Sequence, residues 1–260
     1  MKTEQLELIA KETPKKSSKE AVIEISNLYK SFGSQEVLKD LSFKLFDGEN
    51  LVVLGKSGSG KSVLIKCIVG LLRSNSGIIN VFGQNILTLD QKELDEIRQK
   101  IGFLFQSGAL YDSMTVKENL EFPLKRMKKH LSKTEIDAKI LEALENVGLP
   151  DAIDKMPSQL SGGMRKRISL ARTIVVDPMI MLYDEPTTGL DPVTSDEISL
   201  LINDIQKKYK TSSIIITHDI ECARMTADRL IMLQDGGVYE KGSLNKFEKS
   251  TDELIRAFFK

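Results

Sequence analysis

The chain is polar for its first twenty positions and turns apolar at Ala21. AVIEI at 21–25 and VLKDLSFKLF at 37–46 alternate apolar and polar residues, the period of a half-buried strand. LVVL at 51–54, MIMLY at 179–183, SIIIT at 213–217 and LIMLQ at 230–234 are short uninterrupted apolar runs. Such runs predict strands buried on both faces. Between them the period lengthens. SVLIKCIVGLL at 62–72 and LDQKELDEIRQK at 89–100 predict helices, as does the segment 164–176. Ser132-Lys133-Thr134-Glu135 has the spacing of a capping box. It opens a helix with Ile136, Ile140, Leu141, Leu144 and Val147 expected on its inner face, stopped by Gly148 and Pro150. Asp191-Pro192 predicts an N-cap and first position, with Ile198, Leu201, Ile202 and Ile205 inward. Asp235-Gly236-Gly237 is a turn, and TDELIRAFFK at 251–260 reads as a short helix.

Strands alternating with helices imply an α/β fold, a mostly parallel sheet with helices on both faces. The helix-rich stretch near 112–178 interrupts that alternation and predicts a subdomain of its own, about 107–178. The remaining divisions are a disordered polar tail over 1–20, one domain over 21–245 and a short C-terminal helix over 246–260.

At 260 residues, 41% of them hydrophobic, the chain can bury a sizeable core. Lys+Arg and Asp+Glu balance at 37 each, which argues against a nucleic-acid partner. Cys67 and Cys222 are too few for a disulfide scaffold or zinc cluster and suit a reducing cytosol. No run reaches the roughly 18 apolar residues that span a bilayer. The lysine-rich N-terminus is expected to be neither signal peptide nor anchor.

Gly55-Lys56-Ser57-Gly58-Ser59-Gly60-Lys61-Ser62 fits G-x-x-x-x-G-K-[ST]. Glycines let the backbone curl so that successive N–H groups face phosphate oxygens, and the following helix adds its positive end. Lys61 can reach the β- and γ-phosphates, and the Ser62 hydroxyl can ligate Mg²⁺. A Gly/Ser turn without ligand is the alternative; the apolar strand before it and the helix after it argue against that. The run ending at Tyr183 delivers Asp184 and Glu185 to a strand end, where open α/β sheets place ligand chemistry. Asp184 is positioned for the magnesium shell and Glu185 for the attacking water.

Leu160-Ser161-Gly162-Gly163-Met164, followed by RKRISLAR, opens an amphipathic helix and lies between those two motifs. It resembles the signature of ABC ATPases. A serine hydroxyl and two glycine N–H groups at a helix N-terminus form a second phosphate site. The resemblance covers about residues 22–242 and carries over further positions. Gln106, after IGFLF, matches the Q-loop glutamine that contacts metal and water and senses the membrane subunit. Gly189-Leu190-Asp191 matches the D-loop at the dimer interface. His218 matches the switch histidine on the γ-phosphate, and Phe32 the aromatic that stacks on adenine. His130 has no such support and is expected at the surface. Lys56, in place of a frequent proline, and Met164, in place of the commoner glutamine, are small departures that leave the chemistry intact.

The resemblance implies a P-loop NTPase fold of the ABC ATPase kind, with an antiparallel β subdomain beside the parallel core. ATP and Mg²⁺ would be held between two copies of the chain, each closing its Ser161-Gly162-Gly163 on the other's γ-phosphate. Integral membrane permease subunits would convert closure and opening into transport, with the ATPase peripheral on the cytoplasmic face of the inner membrane. QSGALYDSMTV at 106–116, ENLEFPL and YDEPTTGLDPVT look more specifically like the ATPases of Mla/Mce-type lipid transporters. That implies an Mce-domain lipid carrier as a further partner, and in some relatives a small accessory subunit. An ATPase for amino acids or another small solute, or a soluble iron–sulfur assembly ATPase, is the competing expectation. The long insertions of DNA-repair relatives and the paired cassettes of translation factors are absent.

Overall fold

The computed structural model describes residues 20–128 and 130–259. The tail expected over 1–20 lies, Glu20 excepted, outside the described residues. Strands β1 (Ala21–Phe32), β2 (Gln35–Phe46), β4 (Ser76–Val81) and β5 (Gln84–Asn85) make an antiparallel sheet in the order β2-β1-β4-β5. A second sheet takes β3 (Asn50–Leu54), β6 (Ile101–Leu104), β7 (Ile180–Asp184), β8 (Ser212–Thr217), β9 (Arg229–Gln234) and β10 (Gly237–Gly242). Its order is β10-β9-β3-β8-β7-β6; all neighbours run parallel except β10, which returns on β9 through the Asp235-Gly236 turn.

The uninterrupted apolar runs have a direct structural cause. Successive side chains of a strand point to opposite faces, and each face of the parallel sheet feeds a different core. Leu51, Val53, Ile214, Ile216, Ile231 and Leu233 pack toward the antiparallel sheet and the helices α1 (Lys61–Ile68) and α2 (Gln91–Arg98). Val52, Leu54, Ile215, Leu230 and Met232 pack toward the remaining helices. These are α3 (Val116–Met127), α4 (Lys133–Asn146), α5 (Gly162–Ile174), α6 (Pro192–Tyr209), α7 (Ile220–Thr226), α8 (Leu244–Glu248) and α9 (Glu253–Phe259). Neither face of these runs meets solvent, so the apolar–polar alternation vanishes from the sequence.

Helix starts follow local chemistry. Asp90, Thr115 and Ser132 each cap with a reciprocal glutamate three residues on, Glu93, Glu118 and Glu135. Three expectations need correction. Leu141 is 44% exposed, while Ala143 is buried with Ile136, Ile140 and Leu144; position 141 sits a further 100° round the helix from Ile140 and off its stripe. Met179 is 54% exposed, and its strand begins at Ile180. The helix read over 251–260 is present as α9, but the single helix expected over 246–260 is two, because Ser243 caps α8 and Asp252 accepts from Leu254 and Ile255 to start α9 afresh. His130 is exposed.

The parallel register decides where the chemistry gathers. Leu54 pairs with Thr217, Asp184 with Ile216, and Leu104 with Tyr183. Four strand ends therefore finish side by side, and the segments leaving them share one edge of the sheet.

Candidate functional site

The segment leaving β3 is the glycine-rich loop. Gly60 is the N-cap of α1 at φ 96°, in the left-handed region. A Cβ there would also come within 2.8 Å of Leu38 Cδ2 and 2.9 Å of the Val37 carbonyl oxygen, so only glycine fits. No side chain caps α1, which leaves its first N–H groups available for an anion. The buried Lys61 ammonium donates to the carbonyls of Gly55 at 2.6 Å and Lys56 at 3.2 Å, and lies 3.5 Å from Glu185 Oε1. An open cleft of about 700 Å³ runs over this loop, lined by Lys56, Ser57, Gly58, Gly60, Lys61, Ser62, Gln106, Glu185 and His218. Ser59 lines the adjoining hollow beside Gln35 and Gly236.

β7 delivers the two acids. The Ser62 hydroxyl donates to Asp184 Oδ1 at 3.1 Å. Burial pushes the Asp184 carboxyl above its usual range, while the Ser62 bond works against that shift. Ser62, Asp184, Gln106 and Thr188 line one open hollow. Among the described residues no cluster of three or more His, Cys, Asp or Glu could hold a metal. One hydroxyl, one carboxylate and one amide oxygen suit a hard cation such as Mg²⁺, which takes few protein ligands and completes its shell with phosphate oxygens and water.

Glu185 adopts φ 50°, uncommon for a residue with a side chain, and its N–H donates to the Ile216 carbonyl at 2.9 Å. Its Oε2 lies 2.8 Å from His218 Nδ1 and accepts from the His218 N–H and the Thr188 hydroxyl, both at 3.3 Å. With a proton on Nδ1 the imidazole donates to the carboxylate, leaving Nε2 as an acceptor. The carboxylate is thus aimed from both sides, by His218 at one oxygen and Lys61 at the other.

The structure brings Lys61, Ser62, Gln106, Asp184, Glu185 and His218 together. Ser161, Gly162, Gly163 and Asp191 are not among the residues lining that cleft. Ser161 is the N-cap of α5, its hydroxyl accepting from the Met164 N–H at 3.2 Å. Asp191 caps α6 through Thr194. The two turns pack together: a Cβ on Gly163 would come 2.6 Å from Thr194 Cγ2. Phe32 is 47% exposed with the Lys30 ammonium 4.7 Å from its ring centre, and it lies outside the cleft lining.

Sequence reasoning missed three features. Gln35 and Val37, on the hairpin after Phe32, and Ala257 and Phe258 of α9 line the cleft from distant parts of the chain. Lys166 is buried behind Gln106 and Glu185. Its one sequence signal is its place on the buried stripe of α5 with Ser169 and Leu170.

A family model described as ABC transporter matches residues 38–188. A probable ribonucleotide transport ATP-binding protein of Mycobacterium leprae is 42% identical over 236 residues, 91% of this chain and 68% of its own length. The chloroplastic protein TRIGALACTOSYLDIACYLGLYCEROL 3 of Arabidopsis thaliana is 36% identical over 267 residues, 96% of this chain and 76% of its own. A methionine import ATP-binding protein of Rhizobium johnstonii is 37% identical over 228 residues, 88% and 62% of the two chains. The chain thus spans about two thirds of the length of these relatives. Among solved structures, a dimeric bacterial ABC transporter cassette superposes with TM-score 0.79 at 33% identity, covering 85% of this chain and 98% of that one. The same cassette in a post-hydrolysis state with ADP and Pi superposes at 0.78, with the same identity and coverage. With the phosphate loop, the paired acids and the mixed sheets in one α/β architecture, the chain belongs to the ABC transporter family and is an ATPase of its cassette type.

Proposed function

We propose that this chain is the ATP-hydrolysing subunit of a lipid transporter of the Mla/Mce type, working as a pair with a second copy of itself. The observation that carries the pairing is the division of the chain's two phosphate-binding elements. The loop and its acids share one cleft, whereas Ser161-Gly162-Gly163 lies outside that cleft's lining. A helix start with a hydroxyl and free N–H groups has use for a phosphate only if a second chain brings one.

In this reading Lys61 and the loop N–H groups hold the phosphates of ATP, and Ser62, Asp184 and Gln106 hold Mg²⁺. The metal, when bound, neutralises charge on the β- and γ-phosphate oxygens. Glu185 takes the proton of the water whose oxygen attacks the γ-phosphorus, while the bond to the β-phosphate oxygen breaks and ADP leaves. His218 keeps Glu185 aimed through Nδ1, and its Nε2 donates to a γ-phosphate oxygen only when both ring nitrogens carry protons. The partner subunit's Ser161 and the glycine N–H groups beside it complete the charge stabilisation. Phe32 offers adenine the ring face that Lys30 does not cover. Most of the acceleration comes from positioning, because phosphoryl transfer requires little covalent chemistry from the protein.

Two observations support the lipid cargo. The segment 106–116 resembles Mla/Mce-type ATPases, and one relative is named for trigalactosyldiacylglycerol, a lipid. Among the described residues no helix is long and apolar enough to cross a membrane. An integral permease is therefore proposed to span the bilayer, with an Mce-domain carrier beyond it, a small accessory subunit in some assemblies, and this chain on the cytoplasmic side. The methionine import relative favours a second reading, in which the cargo is a small solute.

The test is affinity purification of the tagged chain from gently solubilised membranes. A polytopic permease with an Mce-domain protein supports the lipid reading. A permease with a soluble solute-binding protein replaces it with the second reading. A purely soluble set of partners overturns both.

A further inference from the structure

Three side chains of α5 grip the segment that follows β6. Lys166 Nζ donates to the Gln106 carbonyl at 2.8 Å. Ser169 packs where a Cβ on Gly108 would come 2.6 Å from its hydroxyl. Arg172 donates to the Ala109 carbonyl at 2.9 Å and lies 5.0 Å from the Tyr111 ring centre. Positions 166, 169 and 172 form one stripe of the helix. Of the three, Lys166 alone also reaches across to the other side of the site, where its ammonium lies 3.4 Å from the Glu185 carbonyl oxygen.

A lysine that is only 6% exposed is unusual, since an ammonium loses hydration on burial. That desolvation holds it below the ordinary lysine range, with the charges of Asp184 and Glu185 opposing the shift. A lysine serving only the fold could keep its head in water along the helix surface. This one is held between two main-chain oxygens, and one of them belongs to a residue at φ 50°, where the backbone needs outside support. The same helix begins at Ser161, the cap of the second phosphate element.

We infer that Lys166 is a positioning residue for ATP hydrolysis, a tether joining the first turns of the signature helix to the main chain of both Gln106 and Glu185. Docking of that helix on a partner's nucleotide is then transmitted to the carboxylate that activates water. The inference rests on the reading of Glu185 as the group that receives the water's proton.

The test compares steady-state ATP hydrolysis by Lys166→Met, Lys166→Gln and Glu185→Gln with wild type, alongside nucleotide binding and melting temperature. Lys166→Met keeps the unbranched stem, one atom shorter, and removes its donors. Its kcat should fall about 10- to 100-fold with KM for ATP within about twofold, the signature of misplaced reacting groups. A kcat within twofold of wild type, or a change confined to KM, overturns the tether if Glu185→Gln is inactive. Normal turnover by Glu185→Gln sinks the reading of Glu185 and the inference with it, whatever Lys166→Met does. Should Lys166→Met fail to fold, Lys166→Gln decides. Its shorter amide cannot span both oxygens, so an intermediate kcat is expected and a full wild-type kcat overturns the inference.

Discussion

His218 and Glu185 meet through a single carboxylate oxygen: Glu185 Oε2 lies 2.8 Å from the His218 ring nitrogen Nδ1 and 3.3 Å from the His218 main-chain nitrogen. The other oxygen faces the Lys61 ammonium at 3.5 Å. A carboxylate fixed at both oxygens has little freedom, which suits a group that must meet one water in one orientation. Glu185→Gln keeps the size and most of the contacts but removes the basic oxygen. ATP binding should survive, and phosphate release should fall about 100-fold or more. A phosphate-release assay with parallel nucleotide titration reads both; turnover within threefold of wild type would sink the assignment.

His218 acts largely through Glu185, so its loss should be strongly non-additive with the loss of that carboxylate. His218→Ala leaves Oε2 with the Thr188 hydroxyl and one main-chain N–H. We expect kcat to drop by about 10- to 100-fold in the single variant. In the double variant with Glu185→Gln, the further drop should be less than about threefold. Multiplicative losses would mean that the histidine works on the nucleotide independently.

The parts of this site that could be read in the sequence share a property: each is a strand end followed by its own functional residue. Leu54 leads to Gly55, Tyr183 to Asp184 and Glu185, and Thr217 to His218, so local pattern and function coincide. The parallel register then aligns these ends without further information. Lys166 was not legible as part of the site because its role depends on two carbonyls, 60 and 19 positions away in the chain, and a carbonyl leaves no trace in side-chain identity. Phe258 was missed for a similar reason. The packing of α9 through Ile255 onto the core brings it to the cleft, and a short amphipathic helix does not announce its neighbour. Leu141 shows the opposite error: an apolar residue beside an apolar stripe was read into it, although helical geometry turns it toward solvent.

The separation of the two phosphate elements gives a test of pairing that needs no partner protein. Gly163→Val would place a Cβ 2.6 Å from Thr194 Cγ2, closer than side-chain carbons pack. Gly163→Val should abolish hydrolysis while leaving nucleotide binding at its own loop within about threefold. Lys61→Ala should lose hydrolysis through the loop instead. Mixed one to one, the two inactive chains form hybrid dimers in half of random pairings, and each hybrid carries one site with both elements intact. If each site works independently, recovery should approach about a quarter of wild-type activity. No recovery despite hybrid formation would mean that loop and signature act within one chain.

Cys67 and Cys222 test the packing of the sheet from its two sides, because Cys67 belongs to the core shared with the antiparallel sheet and Cys222 to the core beneath the helices. Both thiols are free and buried, and burial pushes each from 9.0 up to about 11. The thiolate is the reactive form and predominates only above the pKa. A rise of two units therefore lowers the thiolate fraction at pH 8 about 100-fold, before access is considered. In the native protein, iodoacetamide at pH 8 should label neither thiol over the minutes in which a free peptide thiol reacts. Raising the pH toward 10 should speed labelling in step with the thiolate fraction, provided the fold persists. In denaturant both thiols become exposed together, and two equivalents should react at the peptide rate. Mass spectrometry of the native protein at pH 8 showing rapid labelling of Cys67 alone would mean that the core between the two sheets is open to solvent. That would undo the packing assigned to Leu51, Val53 and Ile214, and with it the support under the phosphate loop.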